Sequence, residues 1–328
     1  MRKIYVLALI ILLGACVLYL FFPTPMWWQD DIERYIVLNI KLPVVLTAIL
    51  VGAAICVSAA SLQVLLRNPL ADPGLIGISS GASLVAACLI LIGGLPVISE
   101  WLVGYSTTLS GVLQTYILAF ACFLGAILSA FLIMKLAKRM MNTQSAVILM
   151  GIGISTIAGA IIGWLYLIAP PSSIKSLTFW LMGSLHNTDM KMLMLVSPVF
   201  TIGGAYLLHS AKYLNLLYLD ANSARLNGLD VERFERRILV ISAMLVGLSV
   251  SIAGSIAFLG LLVPHFVRAV IGHDNRHVLV LSSIVGATFL IMTALFNELL
   301  FVNLVPLSMI TASIGGPLFI FALLKQRH

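Results

Sequence analysis

Apolar residues run along this chain in long uninterrupted blocks. They cover residues 4–22, 44–66, 75–97, 107–134, 144–168, 190–208, 238–263, 278–303 and 306–324. Each block has about 18 residues or more, enough for a helix to cross a hydrocarbon core about 30 Å thick. The pattern predicts an all-α polytopic membrane protein, a single transmembrane domain over residues 1–328. One segment breaks the pattern. Arg67-Asn68-Pro69-Leu70-Ala71-Asp72-Pro73-Gly74-Leu75-Ile76-Gly77-Ile78-Ser79-Ser80-Gly81-Ala82 carries two prolines and three glycines, which do not continue a helix comfortably. Non-helical backbone at membrane depth is tolerated only where protein buries it or a water-filled cavity reaches it. The segment is therefore read as a turn at the membrane face or part of the lining of a path.

Composition agrees. Of 328 residues, 61% are hydrophobic and 9% charged, against about 25% charged in soluble domains. This leaves no room for a soluble domain. Cys16, Cys56, Cys88 and Cys122 all lie inside apolar runs without ligand-like spacing. They read as small buried hydrophobes, and neither a disulfide framework nor a metal site follows. Arg2-Lys3 before an apolar run, with Leu13-Gly14-Ala15-Cys16, resembles a signal or lipidation segment, but the run continues to Phe22. An uncleaved first helix is expected.

Charge sets the predicted topology, since Lys and Arg gather in cytoplasmic loops. With Arg2-Lys3 inside, the loop 23–43 falls outside, Arg67 inside, Glu100-Trp101 outside, and Lys135, Lys138 and Arg139 inside. The segment 169–191 is outside and the loop 209–237 inside. Arg268, Arg276, Lys325 and Arg327 also belong inside, so the chain must leave and return between Arg237 and Arg268. Thirty-odd residues cannot form two spans of about 20 each. One full helix and a short or broken one, turning near Gly260 and Pro264, resolve this. The result is about ten segments with both termini cytoplasmic. Of the 19 Lys and Arg, only Arg34, Lys41, Lys175 and Lys191 lie outside. That asymmetry accounts for the net charge of +7 without nucleic acid. A weak internal match at one offset pairs Val51-Gly52 with Val246-Gly247 and Pro69 with Pro264, hinting at halves 1–189 and 190–328.

Enzyme constellations are missing. No Gly-Lys pair exists for a phosphate-binding loop, the six histidines are scattered, and His265 reads as a helix-end residue. Intramembrane carboxylates would mark an ion relay, yet the spans are almost free of them; Glu298 is the exception, near the outer end of the ninth span, where it reads as interfacial. Energy is therefore expected from elsewhere. Gly151, Ser155, Gly159 and Gly163 form one stripe, either a close helix contact or a smooth path wall. In the loop 209–237, Asp220 can cap a short helix over residues 221–227, with Gly228 at its end and Asp230 starting the next helix. So short a helix needs a partner surface. The outside segment 170–185, with Phe179 and Trp180, suits a short interfacial helix over a path mouth or ordinary loop packing.

Several of these motifs occur together in one known family. Asn68-Pro69-Leu70-Ala71 with Gly77, Ser79, Gly81 and Ala82; Phe179-Trp180-Leu181-Met182-Gly183-Ser184-Leu185; Ala224-Arg225 with Gly228; Phe258-Leu259-Gly260-Leu261-Leu262-Val263-Pro264-His265 with Arg268; and Thr311-Ala312 with Gly316-Pro317 appear in order. Over nearly its whole length the chain resembles the permease subunits of binding-protein-dependent ABC importers for iron–siderophore complexes, haem and cobalamin. The resemblance implies type II importer architecture: ten helices per subunit, a second permease copy, and a path between the copies. It implies two separate ATPase subunits, holding ATP and Mg, docked on Ala221, Ser223, Ala224, Arg225, Leu226 and Gly228. It implies an extracytoplasmic binding protein that delivers cargo, and location in the bacterial inner membrane. No cofactor is expected on this chain itself. Asn68 and Leu70 would form a cytoplasmic gate with a second constriction near Thr143 and Gln144. Gly151, Ser155, Gly159, Gly163 and Trp180 would line the path. The chain departs from the family at its outer face. The usual Arg-x-Pro-Arg reads Lys41-Leu42-Pro43-Val44, and a family arginine aligns with Glu298. Lys41 and Glu298 are thus expected to meet a differently charged docking partner. The expected function is import of a ferric siderophore or haem by alternating access. Cobalamin or an oxyanion is the alternative cargo, and a secondary transporter working without ATPases is the rival class.

Overall fold

The computed structural model describes residues 1–22, 30–74, 76–93, 111–140, 144–300 and 305–325. Among the described residues every regular element is a helix. In chain order these are α1 (Arg2–Phe21), α2 (Asp31–Leu65), α3 (Ile78–Ile92), α4 (Gly111–Arg139), α5 (Gln144–Ile168), α6 (Pro171–Leu181), α7 (Met190–His209), α8 (Ala211–Leu219), α9 (Ala221–Leu226), α10 (Val231–Ala253), α11 (Leu259–Ile271), α12 (Asn275–Leu300) and α13 (Leu307–Lys325). Helices α1, α2, α4, α5, α7, α10 and α12 are long and apolar enough to cross a membrane, and α3, α11 and the stretch Leu307–Phe321 of α13 are shorter apolar helices. The predicted ten-segment, all-α architecture is what the chain adopts. The tryptophans of the loop 23–43 and the Glu100-Trp101 loop lie outside the described residues.

Helix α2 is the axis of the fold. Nearly every side chain from Pro43 to Leu65 is buried, because α10, α11 and α12 enclose it. Its approach to α12 is set by two glycines. A Cβ on Gly52 would stand 2.6 Å from the Gly286 carbonyl oxygen, and one on Gly286 would strike Cys56 Sγ. Only residues without side chains let two backbones meet this closely. On another face, Gly260 of α11 packs over Ala59, whose Cβ a methyl on Gly260 would meet at 2.9 Å.

The helix begins earlier than its apolar run. Its outer end extends to Asp31, capped by Asp30, whose Oδ1 accepts from Ile32 N at 2.9 Å. The extension passes through a wide π-turn over Val37–Lys41. That widening directly precedes Pro43, whose ring crowds the preceding turn and which has no N–H to donate.

The return between Arg237 and Arg268 is one long helix and one short one, as charge requires, but the turn is elsewhere. It lies at residues 254–258, not at Gly260 and Pro264, which both sit inside α11. Pro264 leaves the Gly260 carbonyl without its helical donor, and Gln63 Nε2 of α2 supplies one at 3.3 Å. At 254–258 the chain has to be left-handed twice, at Gly254 (φ 70) and Phe258 (φ 65). Thirteen residues of α11 rise only about 20 Å, so this bend lies within the apolar thickness and its backbone must find protein partners. Ser184 N donates to Ala253 O (2.9 Å). Ser308 Oγ donates to Ser255 O (2.5 Å) and accepts from Ala257 N (3.3 Å). Leu307 N and Ser308 N in turn donate to Gly183 O (3.1 Å) and Met182 O (3.0 Å). The outer loop, the bend and the start of α13 are thus one backbone junction.

The residues matched by the internal offset sit differently, with Pro69 in the turn after α2 and Pro264 inside a helix. A bulky side chain at the α2–α12 crossing should unseat the fold's axis. Gly52→Leu is expected to destabilise by about 3 kcal/mol or more, the upper range for overpacking. Gly204→Ala should be tolerated, because nothing lies within 4 Å of its Cβ position. Thermal unfolding in detergent distinguishes the two, and equal melting points would contradict the close crossing.

Candidate translocation and coupling site

The predicted short helix in the loop 209–237 forms as α9, one residue shorter than expected, with Asn227 as its C-cap. Asp220 adopts extended backbone, and its Oδ2 accepts from Asn222 N (3.0 Å) and Ser223 N (3.3 Å). At the other end Gly228 N donates to Arg225 O (2.9 Å) and Leu229 N to Ala224 O (3.1 Å). Those two bonds make a Schellman motif, whose C′ position requires the left-handed conformation that Gly228 adopts at φ 80. Ala224 is buried and anchors the helix. Leu226 is 89% exposed, with Arg225 and Asn222 beside it. A rigid helix of six residues that presents a leucine to solvent has the form of a docking knob. Sequence reasoning missed α8, the helix before it, whose Ala211, Leu214 and Leu217 face inward. Asp220 ends α8 and starts α9, so the two share a residue.

The helix-breaking segment divides: Arg67 to Gly74 lie in the turn between α2 and α3, whereas Ile78 to Ala82, Gly81 included, are helical and open α3. Helix α2 ends in a second Schellman motif: Arg67 N donates to Val64 O (3.2 Å) and Asn68 N to Gln63 O (3.1 Å). Here the left-handed position is held by Arg67 (φ 46), not glycine. Asn68 Oδ1 accepts from Leu70 N at 2.9 Å, folding an Asx turn that leaves Leu70 largely exposed at the tip. Thr143 and the Gln144 side chain lie outside the described residues.

The small-residue stripe of α5 divides. Its first half is packed: Gly151 lies against the Ile76 backbone, and Ser155 Oγ bonds Ser80 Oγ at 2.7 Å. Its second half is open, with nothing within 4 Å of a Cβ at Gly159 or Gly163. Trp180 is half-buried on α6, the predicted short helix. It lines a cavity of about 370 Å³ together with Ser176, His186, Asn187 and Asn297. Loss of water on burial lowers the pKa of the His186 imidazole below its ordinary value, against the raising pull of Glu298.

Comparison with known proteins identifies the family. The model of the FecCD transport family matches residues 4–325. This chain belongs to that family. The hemin transport system permease protein HmuU of Yersinia pestis is 34% identical over 300 residues, 91% of this chain and 86% of that one. The vitamin B12 import system permease protein BtuC of Vibrio cholerae is 32% identical over 96% of this chain and 91% of its own length. A solved structure described as an inward-facing conformation of an ABC transporter of metal-chelate type superposes with a TM-score of 0.86. It is 27% identical and covers 99% of this chain and 100% of that one. The chain is therefore an ABC importer permease of the FecCD family, a multi-pass membrane protein.

In this FecCD permease the outer pair is not arranged as the sequence suggests. Lys41 is only 4% exposed. Its Nζ stands 3.4 Å from Glu298 Oε1, donates to Tyr19 O (3.3 Å) and to Phe22 O, and lies 5.7 Å from the centre of the Tyr19 ring. The expected docking cation is thus an internal tie joining α1, α2 and α12, and Lys41 is not presented to a partner. The π-turn that ends at Lys41 is the local device, and no spacing rule read from the sequence would have paired residues 41 and 298. Breaking one side of a buried pair leaves the other charge uncompensated. Lys41→Met should cost about 3 kcal/mol, the lower end for such pairs, since Glu298 keeps partial access to water. Lys41→Met combined with Glu298→Leu should recover part of it. A melting point unchanged by Lys41→Met would contradict the tie.

Proposed function

We propose that the chain is the membrane-spanning subunit of an ATP-driven importer whose cargo is a bulky iron chelate, a ferric siderophore or haem. Two copies would enclose the path, with the open half of the α5 stripe at Gly159 and Gly163 on the facing surfaces. Two ATPase subunits carrying Mg-ATP would dock on α9, and an extracytoplasmic binding protein would deliver cargo at the opposite end. The single observation that carries the reading is α9, a helix capped at both ends that exposes Leu226. On the positive-inside rule the end holding α9, Arg2 and Arg276 faces the cytoplasm, which puts both termini there, in the inner membrane of a bacterium.

ATP binding on the partners would displace α9 and re-aim the helices around it. The turn at Asn68 and Leu70 would then close or open the path. A ligand can bias such a switch only by its differential affinity for the two states. The cargo class rests on the names of relatives that carry hemin and vitamin B12, and cobalamin or an oxyanion is the alternative. A secondary transporter is disfavoured by the scarcity of carboxylates within the helices.

Reconstitution with its ATPase and binding protein tests the reading. Leu226→Asp and Gly228→Val should insert and fold but lose cargo-stimulated ATP turnover, Gly228→Val through the cost of about 1–2 kcal/mol for a left-handed L residue. Stimulation that survives both changes would remove α9 from the coupling surface. Transport by the chain alone, without ATP, would establish the secondary transporter instead. Mass spectrometry of the ligand that co-purifies with the binding protein identifies the cargo.

A further inference from the structure

Beside the docking helix runs a hydrogen-bonded chain that the roles above do not use. Asn215 of α8 places its Oδ1 against two donors of one residue, Asn275 N and Asn275 Nδ2, both at 2.8 Å. Its Nδ2 donates to Asp274 Oδ1 at 2.6 Å. That bond is the main reason the Asp274 carboxyl lies below the usual carboxylate range, so Asp274 stays charged as an acceptor. Asn275 is fully buried, and its Oδ1 accepts from Arg268 Nη1 at 3.1 Å. The other arm of the same guanidinium, Nη2, reaches the Ala60 carbonyl of α2 at 3.0 Å. Tyr218 of α8 stacks on His273 beside this chain, the ring centres 5.9 Å apart.

The order of these residues matters. Helices α8 and α9 meet at Asp220, so a displacement of α9 acts directly on the end of α8. From Asn215 the chain passes to the α11–α12 loop, then to α11, then to α2 at Ala60. Seven residues on, about 10 Å along the helix, α2 ends at the Arg67–Leu70 turn. Helix α8 also packs on α2 and α12 through apolar side chains. That contact is non-directional and allows sliding, whereas hydrogen bonds anchored at both ends fix a register and carry a displacement with its direction.

We propose that Asn215, Asn275 and Arg268 are positioning residues forming the tie through which movement of the ATPase-docking element reaches the turn at the end of α2. The proposal rests on the importer reading above. The Arg268 guanidinium is the decisive member, because its planar fork serves Asn275 and Ala60 at once. A lysine there carries its donors on one nitrogen and lacks the two-nitrogen fork that holds both acceptors in a fixed relation.

The test uses the complete complex, permease with ATPase and binding protein, in proteoliposomes. Cargo transported per ATP hydrolysed is the readout, because a merely structural defect would lower the amount of complex and leave this ratio alone. Arg268→Gln and Asn215→Ala should lower the ratio roughly tenfold, about what one charge-assisted hydrogen bond is worth, while basal ATP hydrolysis persists. Arg276→Gln removes an equal charge beside the tie and should leave the ratio unchanged. If Arg268→Gln does not assemble, Arg268→Lys takes its place with the same expected loss. A wild-type ratio in Arg268→Lys or Asn215→Ala overturns the tie, and so does an equal loss in Arg276→Gln. Absence of ATP-dependent transport by the wild-type complex would overturn the importer reading, a result separable from either of these.

Discussion

The backbone contact between Gly52 and Gly286 is the constraint on which the rest of the molecule depends. It brings α2 and α12 together with no side chain between them. With that face closed, α2 becomes a buried rod around which α10 and α11 also pack. The consequences are local and traceable. Gly260 can lie over Ala59, which brings the Gly260 carbonyl to Gln63, which in turn allows a proline inside α11. Arg268, three-quarters of the way along the same short helix, then reaches Ala60. Each step requires the one before, and all of them fix where α2 ends and therefore where its turn is presented.

A membrane chain cannot bend in lipid without supplying its own hydrogen-bond partners. The bend at 254–258 meets this demand with Ser308, Ser184 and the carbonyls of Met182 and Gly183, drawn from two other segments. The turn after α2 meets it with its own Asn68 and Asp72 side chains. Among the described residues the two non-glycine positions with left-handed backbone are Arg67 and Phe258, one at each of these breaks. Such conformations persist only where the surroundings enforce them. They mark the points at which the backbone leaves helical geometry, at the end of α2 and at the start of α11.

Much of this was legible in the sequence because it was local. Run length and Lys/Arg placement were enough for ten segments. The short capped helix followed from Asp220, Gly228 and Asp230, whose preferences are decided within a few residues. What was illegible depended on partners far along the chain. Gly260 and Pro264 carry the composition of a turn, yet Gln63, from another helix, keeps them helical. Lys41 stands where the family carries the first arginine of its Arg-x-Pro-Arg motif, so a docking role is the expectation, and only the π-turn and Glu298 turn it inward. The α5 stripe was ambiguous for a physical reason as well: it is both a contact and an open wall, in successive turns of one helix. Asn215, set alone in Tyr213-Leu214-Asn215-Leu216-Leu217-Tyr218, was the available signal for the polar chain at the basic end. A single amide in so apolar a stretch must find a partner.

The distribution of charge limits where a driving force can enter. Among the described residues the long apolar helices carry Asp and Glu only near their ends, at Asp31, Glu33, Glu232, Glu235 and Glu298, while the Asp72 carboxylate of the turn after α2 lies against Gly260. The buried ions near the ends are already committed, Lys41 to Glu298 and two carbonyls, Arg268 to Asn275 and Ala60. The described helices therefore give an ion gradient little to act on. A mechanical input at the surface has a place to enter, because the basic end is where an exposed leucine, two helices joined at Asp220 and a hydrogen-bonded chain to the axial helix lie in succession. Work done on that end reaches the axis through bonds whose geometry is set at both termini. The opposite end is closed by its own internal ion pair, Lys41 with Glu298.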